Sequence, residues 1–473
     1  MKVYLRYVLL VVGGASALCG SQSSPADPLP PPVLQSLATQ RIPPTALSIV
    51  VRDIGSGETL LAVNPAAARS PASTIKVLTT YAALDELGPN YVWQTRALAT
   101  GPVVDGHVRG DLVLRGGGDP FMTTERWERF ARELRFRGIT HIDGDVVVDD
   151  TLFEAQTADP DDFDGKGYKT YNVLPDALLV NLQTVEFRLV PDKKGIAVVM
   201  DPAPDNLRVI NKIHALHTAC RSGAHALQFT EESQTQITIE GPLSVHCEGV
   251  SLRRAVLRGP EFAYGTFVTN FRDSGGTIAG HLRIGATPPS AHLLVSYESL
   301  TLAEIIRLIN KFSNNPMARS LLLTLAAERG GAPGTLTKGA AAMADWMTRR
   351  EITCPDLVLD NGSGLSRVAQ ISAECMTQVL TSAWKSRYFP EFAASLPLGG
   401  EDGTLKHRFS DTRGAARVRM KTGHLKDVAA LAGWVTTASG RTLAVTVFVN
   451  HPGAEYGDGD KVIDAVVHWA LER

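Results

Sequence analysis

Alternating apolar and polar positions mark strands and helices toward both ends of the chain. Near the N-terminus, "ALSIVVRDIGSGETLLAVN" (46–64) predicts two strands joined by a Gly-Ser-Gly turn. The segment "STIKVLTTYAALDEL" (73–87) repeats apolar or small residues at i, i+3, i+4 and i+7, which predicts a helix with one buried side. The C-terminal part predicts an antiparallel meander of three strands, "ARVRMKTG", "VAALAGWVTT" and "RTLAVTVFVN", and a closing helix, "KVIDAVVHWALE".

Between residues 96 and 265 the pattern changes to short β-like runs. Examples are "GDLVLRGG", "GDVVVDD", "GIAVVMD" and "QTQITIEG", and Gly, Pro and Asp separate them. One or two small β-rich domains are therefore expected here. Helical periodicity returns in "LTLAEIIRLINKFSNNPMARSLLLTLAAE" (300–328). The sequence as a whole predicts an α+β protein, with an antiparallel sheet flanked by helices and additional β-rich domains.

Length and composition are those of a globular protein with more than one domain. The chain has 473 residues, of which 44% are hydrophobic and 20% charged, and a formal net charge of −2. It is too long for one core of typical size, so two or three domains are expected. The small net charge gives no reason to expect a nucleic acid partner. No later segment is apolar and long enough to cross a bilayer, so at most peripheral membrane association is expected.

The first twenty residues, "MKVYLRYVLLVVGGASALCG", have the layout of an export signal. Two basic residues precede an apolar run, and Ala-Ser-Ala at 15–17 provides a cleavage site. The Pro-rich stretch that follows fits poorly with a buried N-terminal helix. We therefore expect a signal peptide over residues 1–24 and a periplasmic mature protein. Cys19 leaves a lipoprotein as the alternative, although Leu18 before it is bulkier than such a signal usually allows.

Beyond Cys19 the chain has an even number of cysteines, which in an exported protein favours disulfides. They are Cys220, Cys247, Cys354 and Cys375. The simplest pairing is Cys220–Cys247 and Cys354–Cys375. The alternative is a metal site that would use His214, His217, Cys220, His246 and Cys247. No zinc spacing matches that cluster and the chain has no HExxH motif, so we expect neither a metal nor a cofactor.

Ser73 and Lys76 form an S-x-x-K pair at the predicted start of a helix, where they would share one face. Such a pair arises by chance about once in a chain of this size. A second match, Ser382 and Lys385, shows that the pattern alone decides nothing. The context of Ser73 is stronger, because a hairpin leads into the helix and a turn there can present its hydroxyl to a cleft. Ser382 is interpreted as part of a helix surface.

Two further short motifs follow Ser73 in order along the chain. "SNN" at 313–315 is the only S-x-N of the sequence and falls in a helical region. "KTG" at 421–423 is the only K-T-G and falls on a predicted strand. Taken alone, the first would be a turn or a cap and the second a strand end. Their order and flanks together favour a functional site.

These motifs resemble those of the penicillin-recognising serine enzymes. The nearest likeness is to the D-alanyl-D-alanine carboxypeptidase/endopeptidase family of class C low-molecular-mass penicillin-binding proteins, peptidase family S13. "LRGGGDPFM", "GDVVVDDTLF", "LDNGSGLSR" and "GGEDGTLKHRF" are also similar to that family, and the likeness runs from about residue 35 to the end. It implies a penicillin-binding/transpeptidase-like domain over 25–95 and 266–473, and an insertion over 96–265.

The resemblance also implies roles for the motif residues. Ser73 would attack the substrate and Lys76 would take its proton, which requires a neutral amine that burial and cations such as Lys421 would favour. Ser313 would relay a proton to the leaving amine and Asn315 would hold the substrate amide. Lys421 and Thr422 would grip the terminal carboxylate of the substrate, and Gly423 and His424 would also belong to the substrate site. Backbone N–H groups of Ser73 and His424 would bind the oxyanion.

The expected substrates are peptidoglycan stem peptides ending in D-alanyl-D-alanine and D-alanyl–diaminopimelate cross-links, with β-lactams as covalent inhibitors. In relatives the arginine that ends "GSGLSR", here Arg367, contacts the diaminopimelate carboxylate. The alternative for Arg367 is pairing with a nearby acid. Relatives carry an amide three residues after K-T-G, whereas this chain has Lys426. A cation there could add to carboxylate binding or repel the amino group of diaminopimelate.

Two other functions remain open from the sequence. A β-lactamase would share the motifs but would need a base for rapid deacylation, and no carboxylate stands in a motif context. A catalytically silent cell-wall binding protein would not need Ser73, Lys76 and Lys421 intact.

Overall fold

A computed structural model describes residues 29–193, 195–221, 223–410 and 415–473. The predicted signal peptide and Cys19 lie outside the described residues. Within them the helices are α1 (Pro31–Gln40), α2 (Lys76–Leu87), α3 (Thr124–Phe136), α4 (Gly259–Asp273), α5 (Leu302–Phe312), α6 (Asn315–Gly330), α7 (Leu336–Arg349), α8 (Ala373–Trp384), α9 (Phe389–Ser395) and α10 (Asp458–Leu471). No described helix is both long and apolar enough to cross a membrane.

The strands fall into five sheets. They are β1 (Leu47–Asp53), β2 (Thr59–Val63), β3 (Gln94–Ala99), β4 (Val103–Val104), β5 (His107–Val108), β6 (Leu112–Arg115), β7 (His141–Ile142), β8 (Val146–Asp149), β9 (Thr184–Asp192), β10 (Gly195–Asp201), β11 (Arg208–Leu216), β12 (Gln228–Ser233), β13 (Gln236–Ser244), β14 (Ser251–Ala255), β15 (Thr277–Ile278), β16 (Leu282–Ile284), β17 (His292–Glu298), β18 (Val418–Leu425), β19 (Val428–Thr436) and β20 (Thr442–Asn450).

The first and last parts of the chain build one antiparallel sheet, in the order β18-β19-β20-β1-β2. The predicted N-terminal hairpin and C-terminal meander are both present, and the register pairs Leu47 of β1 with Val449 of β20. This confirms the predicted antiparallel sheet. The pairing of β1 with β20 closes the domain from sequence segments at opposite ends of the chain.

The two faces of this sheet pack against different helices. On β19, Ala430 and Trp434 belong to a core shared with α2, α5, α6 and α8. The alternate residues Leu431 and Val435 belong to a core shared with α1 and α10. Because side chains alternate across a strand, one nearly continuous apolar run serves both layers. The sheet is therefore flanked by helices on both faces, as predicted.

The middle of the chain forms a second core that is rich in short strands. Two three-stranded sheets (β10-β9-β14 and β11-β13-β12), a four-stranded sheet (β15-β7-β5-β4) and a five-stranded sheet (β16-β8-β6-β3-β17) surround it. Helices α3 and α4 also pack into it, through residues such as Trp127 and Phe267.

This second core extends past the boundary expected from the sequence. Phe267 and Phe271 of α4 and Val295 of β17 are buried in it, whereas the sequence predicts that 266–298 belong to the domain that carries the three motifs. β17 also pairs with β3, the first strand of the middle region. We therefore propose that the insert runs from β3 to β17, because β17 pairs with β3 and contributes Val295 to the second core.

Both predicted disulfides are confirmed. Cys220 and Cys247 are bonded with their Cα atoms 5.0 Å apart, and Cys354 and Cys375 with theirs 5.2 Å apart. The first bridge uses both sulfurs of the alternative His/Cys cluster, so those thiolates are not available to a metal. Across the described part of the chain, no group of three or more His, Cys, Asp and Glu side chains could hold a metal ion.

Candidate active site

Ser73 lies in a short 3₁₀ turn, Ala72–Ile75, that continues directly into α2 at Lys76. The Lys76 Nζ is 2.9 Å from the Ser73 Oγ. Strand β18 packs closely against this turn: a Cβ on Gly423 would lie 2.7 Å from the Pro71 carbonyl oxygen and 3.0 Å from the Ser73 nitrogen. Only glycine allows this approach, so the K-T-G motif brings its strand against the turn that carries Ser73.

The S-N-N motif forms the junction between two helices, rather than the interior of one. Ser313 ends α5 in the left-handed conformation, with φ of 56°. The Asn314 side chain caps α6 by accepting a hydrogen bond from the Met317 N–H at 3.0 Å. The sharp turn leaves the side chains of Ser313 and Asn315 on the site side, where each meets a lysine.

Lys76 links the first two motifs. Its Nζ lies 2.6 Å from the Asn315 Oδ1 and also bonds the backbone carbonyl of Ser363. The lysine is completely buried. Three oxygen neighbours thus match the three hydrogen-bonding directions of the amine and hold it beside the Ser73 hydroxyl.

Lys421 links the second motif to the third. Its Nζ donates to the Ser313 Oγ at 2.9 Å and to the Thr422 carbonyl at 2.7 Å. The Thr422 hydroxyl donates in turn to the Thr404 Oγ1 at 2.7 Å. The three motifs therefore converge, with one lysine beside Ser73 and the other beside Ser313.

Burial sets the protonation of both lysines. It lowers the pKa of Lys421 to about 7. It also lowers the pKa of Lys76 well below its ordinary value, and the positive charges of Lys421 and Arg319 lower that pKa further. A neutral amine can accept a proton, so the Ser73–Lys76 pair has the chemistry of a nucleophile and its base.

Two further predicted residues lie at the edges of the site. The His424 side chain is about half exposed, and its Nε2 lies 2.9 Å from both carboxylate oxygens of Asp460. Lys426 is exposed in the turn between β18 and β19. Neither side chain takes part in the hydrogen bonds that join the three motifs.

Arg367 is exposed, and its guanidinium stacks over the ring of Phe163, with 4.3 Å from Cζ to the ring centroid. Phe163 belongs to the insert, so the insert reaches the "LDNGSGLSR" loop that ends at Arg367. This contact is a cation–π pair, not the pairing with an acid considered from the sequence.

The second S-x-x-K match has different surroundings. Ser382 lies in α8, where its Oγ is 3.1 Å from the Tyr81 hydroxyl. Lys385 follows the helix and is exposed. Its amine therefore meets solvent, whereas the Lys76 amine is buried between three oxygen atoms.

The sequence interpretation missed several supporting residues. Ser363 contributes a backbone carbonyl to Lys76, and Gly364 lies so close to the Ser73 turn that a Cβ would be 1.9 Å from the Ala72 carbonyl oxygen. Thr404 orients Thr422. Ser363, Gly364 and Thr404 lie in "LDNGSGLSR" and "GGEDGTLKHRF". The likeness of these two stretches to a family marks the residues but does not indicate what each one does.

Two more missed contacts come from outside these motifs. The Asn315 Nδ2 donates to the Tyr171 carbonyl of the insert at 3.3 Å. Arg319, one turn further along α6, is buried, and its Nη1 donates to the carbonyls of Asn172 and Val173. Backbone acceptors have no residue signature, so no sequence signal could have indicated them.

Comparison with known proteins gives consistent likenesses along nearly the whole chain. The D-alanyl-D-alanine carboxypeptidase of Actinomadura sp. (strain R39) is 29% identical over 425 residues, which cover 86% of this chain and 78% of that protein. D-alanyl-D-alanine carboxypeptidase DacB of Haemophilus influenzae is 25% identical over 433 residues, which cover 89% and 88% of the two chains.

Solved structures show the same fold. Penicillin binding protein 4 (dacB) from Haemophilus influenzae superposes with a TM-score of 0.79 at 22% identity, covering 93% of this chain and 99% of that one. A structure of the same protein complexed with a novel β-lactam gives a TM-score of 0.76 at 23% identity. The predicted α+β fold is thereby confirmed.

The model of one protein family spans almost all of the described chain. It is the D-Ala-D-Ala carboxypeptidase 3 (S13) family, and it matches residues 33–473. All three motifs and the insert between the first two lie within that range. The chain therefore belongs to the D-Ala-D-Ala carboxypeptidase 3 (S13) family.

Proposed function

We propose that this protein is an exported serine D-alanyl-D-alanine carboxypeptidase and endopeptidase that acts on peptidoglycan stem peptides and cross-links through an acyl-enzyme. The observation that carries the proposal is the buried Lys76 amine, 2.9 Å from the Ser73 hydroxyl and 2.6 Å from the Asn315 amide oxygen. Family membership supports the carboxypeptidase class. The hydrogen bonds of Lys76 with Ser73 and of Lys421 with Ser313 support the individual roles.

In the acylation step, neutral Lys76 takes the hydroxyl proton while the Ser73 Oγ attacks the carbonyl of the penultimate D-alanine. The tetrahedral oxyanion is bound by the backbone N–H groups of Ser73 and His424, donors of a kind worth about 3 kcal/mol each. As the peptide bond breaks, the leaving amine needs a proton. Ser313 supplies it, because its hydroxyl lies 2.9 Å from the Lys421 Nζ, which replaces the proton.

Substrate recognition and deacylation use the same groups. The terminal carboxylate binds to Lys421 and Thr422, and its negative charge favours the protonated form of Lys421, whose pKa in the empty site is about 7. Before deacylation, Lys76 gives up the proton it took from Ser73 and Lys421 regains one, both by exchange with solvent. Water then attacks the carbonyl of the acyl-enzyme ester, and Lys76 accepts a proton from that water and passes it to the Ser73 Oγ as the ester bond breaks. The shortened peptide leaves as the second product. Oxygen from water remains on the peptide and the Ser73 hydroxyl is restored.

Penicillin offers a direct test, because the formation and lifetime of its covalent adduct distinguish a carboxypeptidase, a β-lactamase and a silent wall-binding protein. We expect benzylpenicillin to form a one-to-one adduct on the peptide that contains Ser73, measured by mass spectrometry. This adduct should remain on the protein far longer than the time needed to form it. The Lys76 amine has Ser73, Asn315 and the Ser363 carbonyl as its neighbours, with no carboxylate among them to activate water rapidly. Rapid turnover would favour a β-lactamase, and no adduct would favour a silent wall-binding protein.

Export is part of the proposal. The N-terminal layout of residues 1–24 supports it, and so do the two disulfides, which persist in oxidising compartments. We propose the periplasm as the location, with a lipid anchor on Cys19 as the less favoured form.

Arg367 is proposed to bind the side-chain carboxylate of diaminopimelate. Its guanidinium is exposed and stacks on Phe163, which leaves its N–H edge free to donate two parallel hydrogen bonds to a carboxylate. Arg367→Ala should weaken cleavage of diaminopimelate peptides by about 1.5–3 kcal/mol, the worth of charged hydrogen bonds, measured as kcat/KM. Penicillin acylation, which lacks that carboxylate, should change much less.

A matched control is available for this prediction. Arg387 is also exposed and stacks on an aromatic ring, with its Cζ 4.7 Å from the Tyr388 centroid. Arg387→Ala should therefore leave both reactions unchanged. Equal losses for peptide and penicillin in Arg367→Ala would show that Arg367 supports the fold of the cleft instead. Lys426, which is exposed three residues after the K-T-G motif, is proposed to tune the same specificity through its charge.

A further inference from the structure

Arg319 carries a buried positive charge that none of the three motifs explains. It lies on α6 one turn after Asn315 and is 7% exposed. Its Nη1 donates to two backbone carbonyls, of Asn172 at 3.4 Å and Val173 at 3.2 Å. Both acceptors are neutral, so neither of them compensates the positive charge of the guanidinium.

The neighbourhood makes this charge costly. Lys76 and Lys421 are both completely buried, and the charges of Lys421 and Arg319 both act on Lys76. Burying an ion costs several kcal/mol unless a partner compensates it, and further cations of the same sign add to the cost. Such arrangements are concentrated at sites where shifted protonation serves a reaction.

Arg319 also fastens a segment of the insert to the site. We call residues 170–173 the strap. Its Tyr171 carbonyl accepts from the Asn315 Nδ2, and its next two carbonyls accept from Arg319. With its Nδ2 bound to the strap, Asn315 directs its Oδ1 at Lys76. The strap itself is held by Asp164, which accepts from the Tyr171 hydroxyl and the Asn172 side chain, both at 2.8 Å.

We propose that Arg319 is a positioning residue for the reaction, whose charge keeps Lys76 in the neutral form that accepts the Ser73 proton and whose guanidinium holds the strap against Asn315. This inference rests on the function proposed above. It adds an electrostatic element from α6 and a structural link to the insert, neither of which belongs to the three motifs.

The charged groups around Lys76 support this assignment. Lys421 acts from β18 and Arg319 from α6, and both lower the pKa of Lys76 in addition to burial. Asp360, on the loop before Ser363, raises the pKa of Arg319 and so favours its charged form. Burial lowers the pKa of Arg319 only to about 10, whereas that of Lys421 falls to about 7. Arg319 therefore stays charged at a pH where Lys421 has begun to lose its proton.

The test is the pH dependence of penicillin acylation, followed as the second-order rate constant between pH 6 and 10. Removing the charge in Arg319→Gln raises the pKa of Lys76, so the acidic limb should move up by about one pH unit. On the acidic side of this limb, acylation of Arg319→Gln should be about tenfold slower than acylation of the unmodified protein. At high pH the two rate constants should become equal. Arg319→Lys puts an amine in the same place, and burial lowers the pKa of an amine more readily than that of a guanidinium, so its limb should lie between those of the unmodified protein and Arg319→Gln. Arg329→Gln is the control, because Arg329 lies on the same helix but is partly exposed and pairs with Glu86.

The outcomes separate the electrostatic role from a structural one. A uniform loss at every pH with an unmoved limb in Arg319→Gln would overturn the proposal, and so would a shift of the same size in the control Arg329→Gln. Arg319→Met provides a second route if Arg319→Gln does not fold: it also removes the charge, so the limb should move to higher pH by a similar amount, and an unmoved limb would overturn the proposal. Absence of any penicillin adduct on Ser73 in the unmodified protein would remove the proposed function as well, which distinguishes the two failures.

Discussion

Ser73→Ala should abolish both penicillin labelling and release of D-alanine, with a loss of at least about 10³-fold in each rate. The variant lacks the oxygen that would form the covalent bond, and among the described residues no other hydroxyl takes its position beside the Lys76 amine. The change removes one atom from a partly buried side chain, so the fold should persist. Mass spectrometry after incubation with benzylpenicillin and a D-alanine release assay measure the two effects.

Ser382→Ala is the matched control, because Ser382 also precedes a lysine by three residues. Its hydroxyl lies 3.1 Å from that of Tyr81 inside the helical layer, and it lacks a buried amine as neighbour. Both activities should remain nearly intact. Comparable losses in the two variants would mean that the reactive serine has been assigned to the wrong S-x-x-K pair.

Lys76→Met should lower penicillin acylation by about 10²–10⁴-fold, which is the usual contribution of a general base. Ser73 would then have no group to take its proton, although its hydroxyl and the oxyanion donors would remain. Lys385→Met, at the exposed lysine of the other S-x-x-K pair, should leave the acylation rate unchanged. A rate for Lys76→Met within a few-fold of that of the unmodified protein would show that another residue is the base.

The same variant should change the pH dependence of stability. The pKa of Lys76 is lowered in the folded protein, so between that value and about 10.4 the unfolded chain binds more protons than the folded one. Within this window the stability contribution of Lys76 rises with pH, by up to about 1.4 kcal/mol per pH unit. Lys76→Met lacks this contribution, so its free energy of unfolding should rise less steeply with pH. Identical slopes in urea unfolding would contradict a buried, neutral Lys76.

Local elements could be predicted because their signals are local. The hairpin of β1 and β2, helix α2 and the C-terminal meander each follow from apolar spacing over fewer than twenty residues. The disulfide pairing could be predicted for a similar reason, since the paired cysteines are only 27 and 21 residues apart. The position of Lys421 and Gly423 on a strand followed from alternation on β18.

The extent of the insert could not be predicted in the same way. Helix α4 has a pattern that would suit any apolar surface, and only the tertiary structure shows that Phe267 and Phe271 pack in the second core. The expected boundary at residue 265 therefore cut through one helix. Periodicity reports that a face is buried, but not which core buries it.

By itself the sequence determined the elements of the fold, its two disulfides and the residue types of three motifs whose order pointed to one family. The tertiary structure alone decided that Lys76 meets Asn315 from 239 residues away, and that Ser73 rather than Ser382 has a buried amine beside it. It also decided the roles of the Ser363 carbonyl and Arg319. The physical reason is that reactivity here depends on burial, on charge at a distance and on backbone carbonyls, which arise from long-range packing and are common to every residue type.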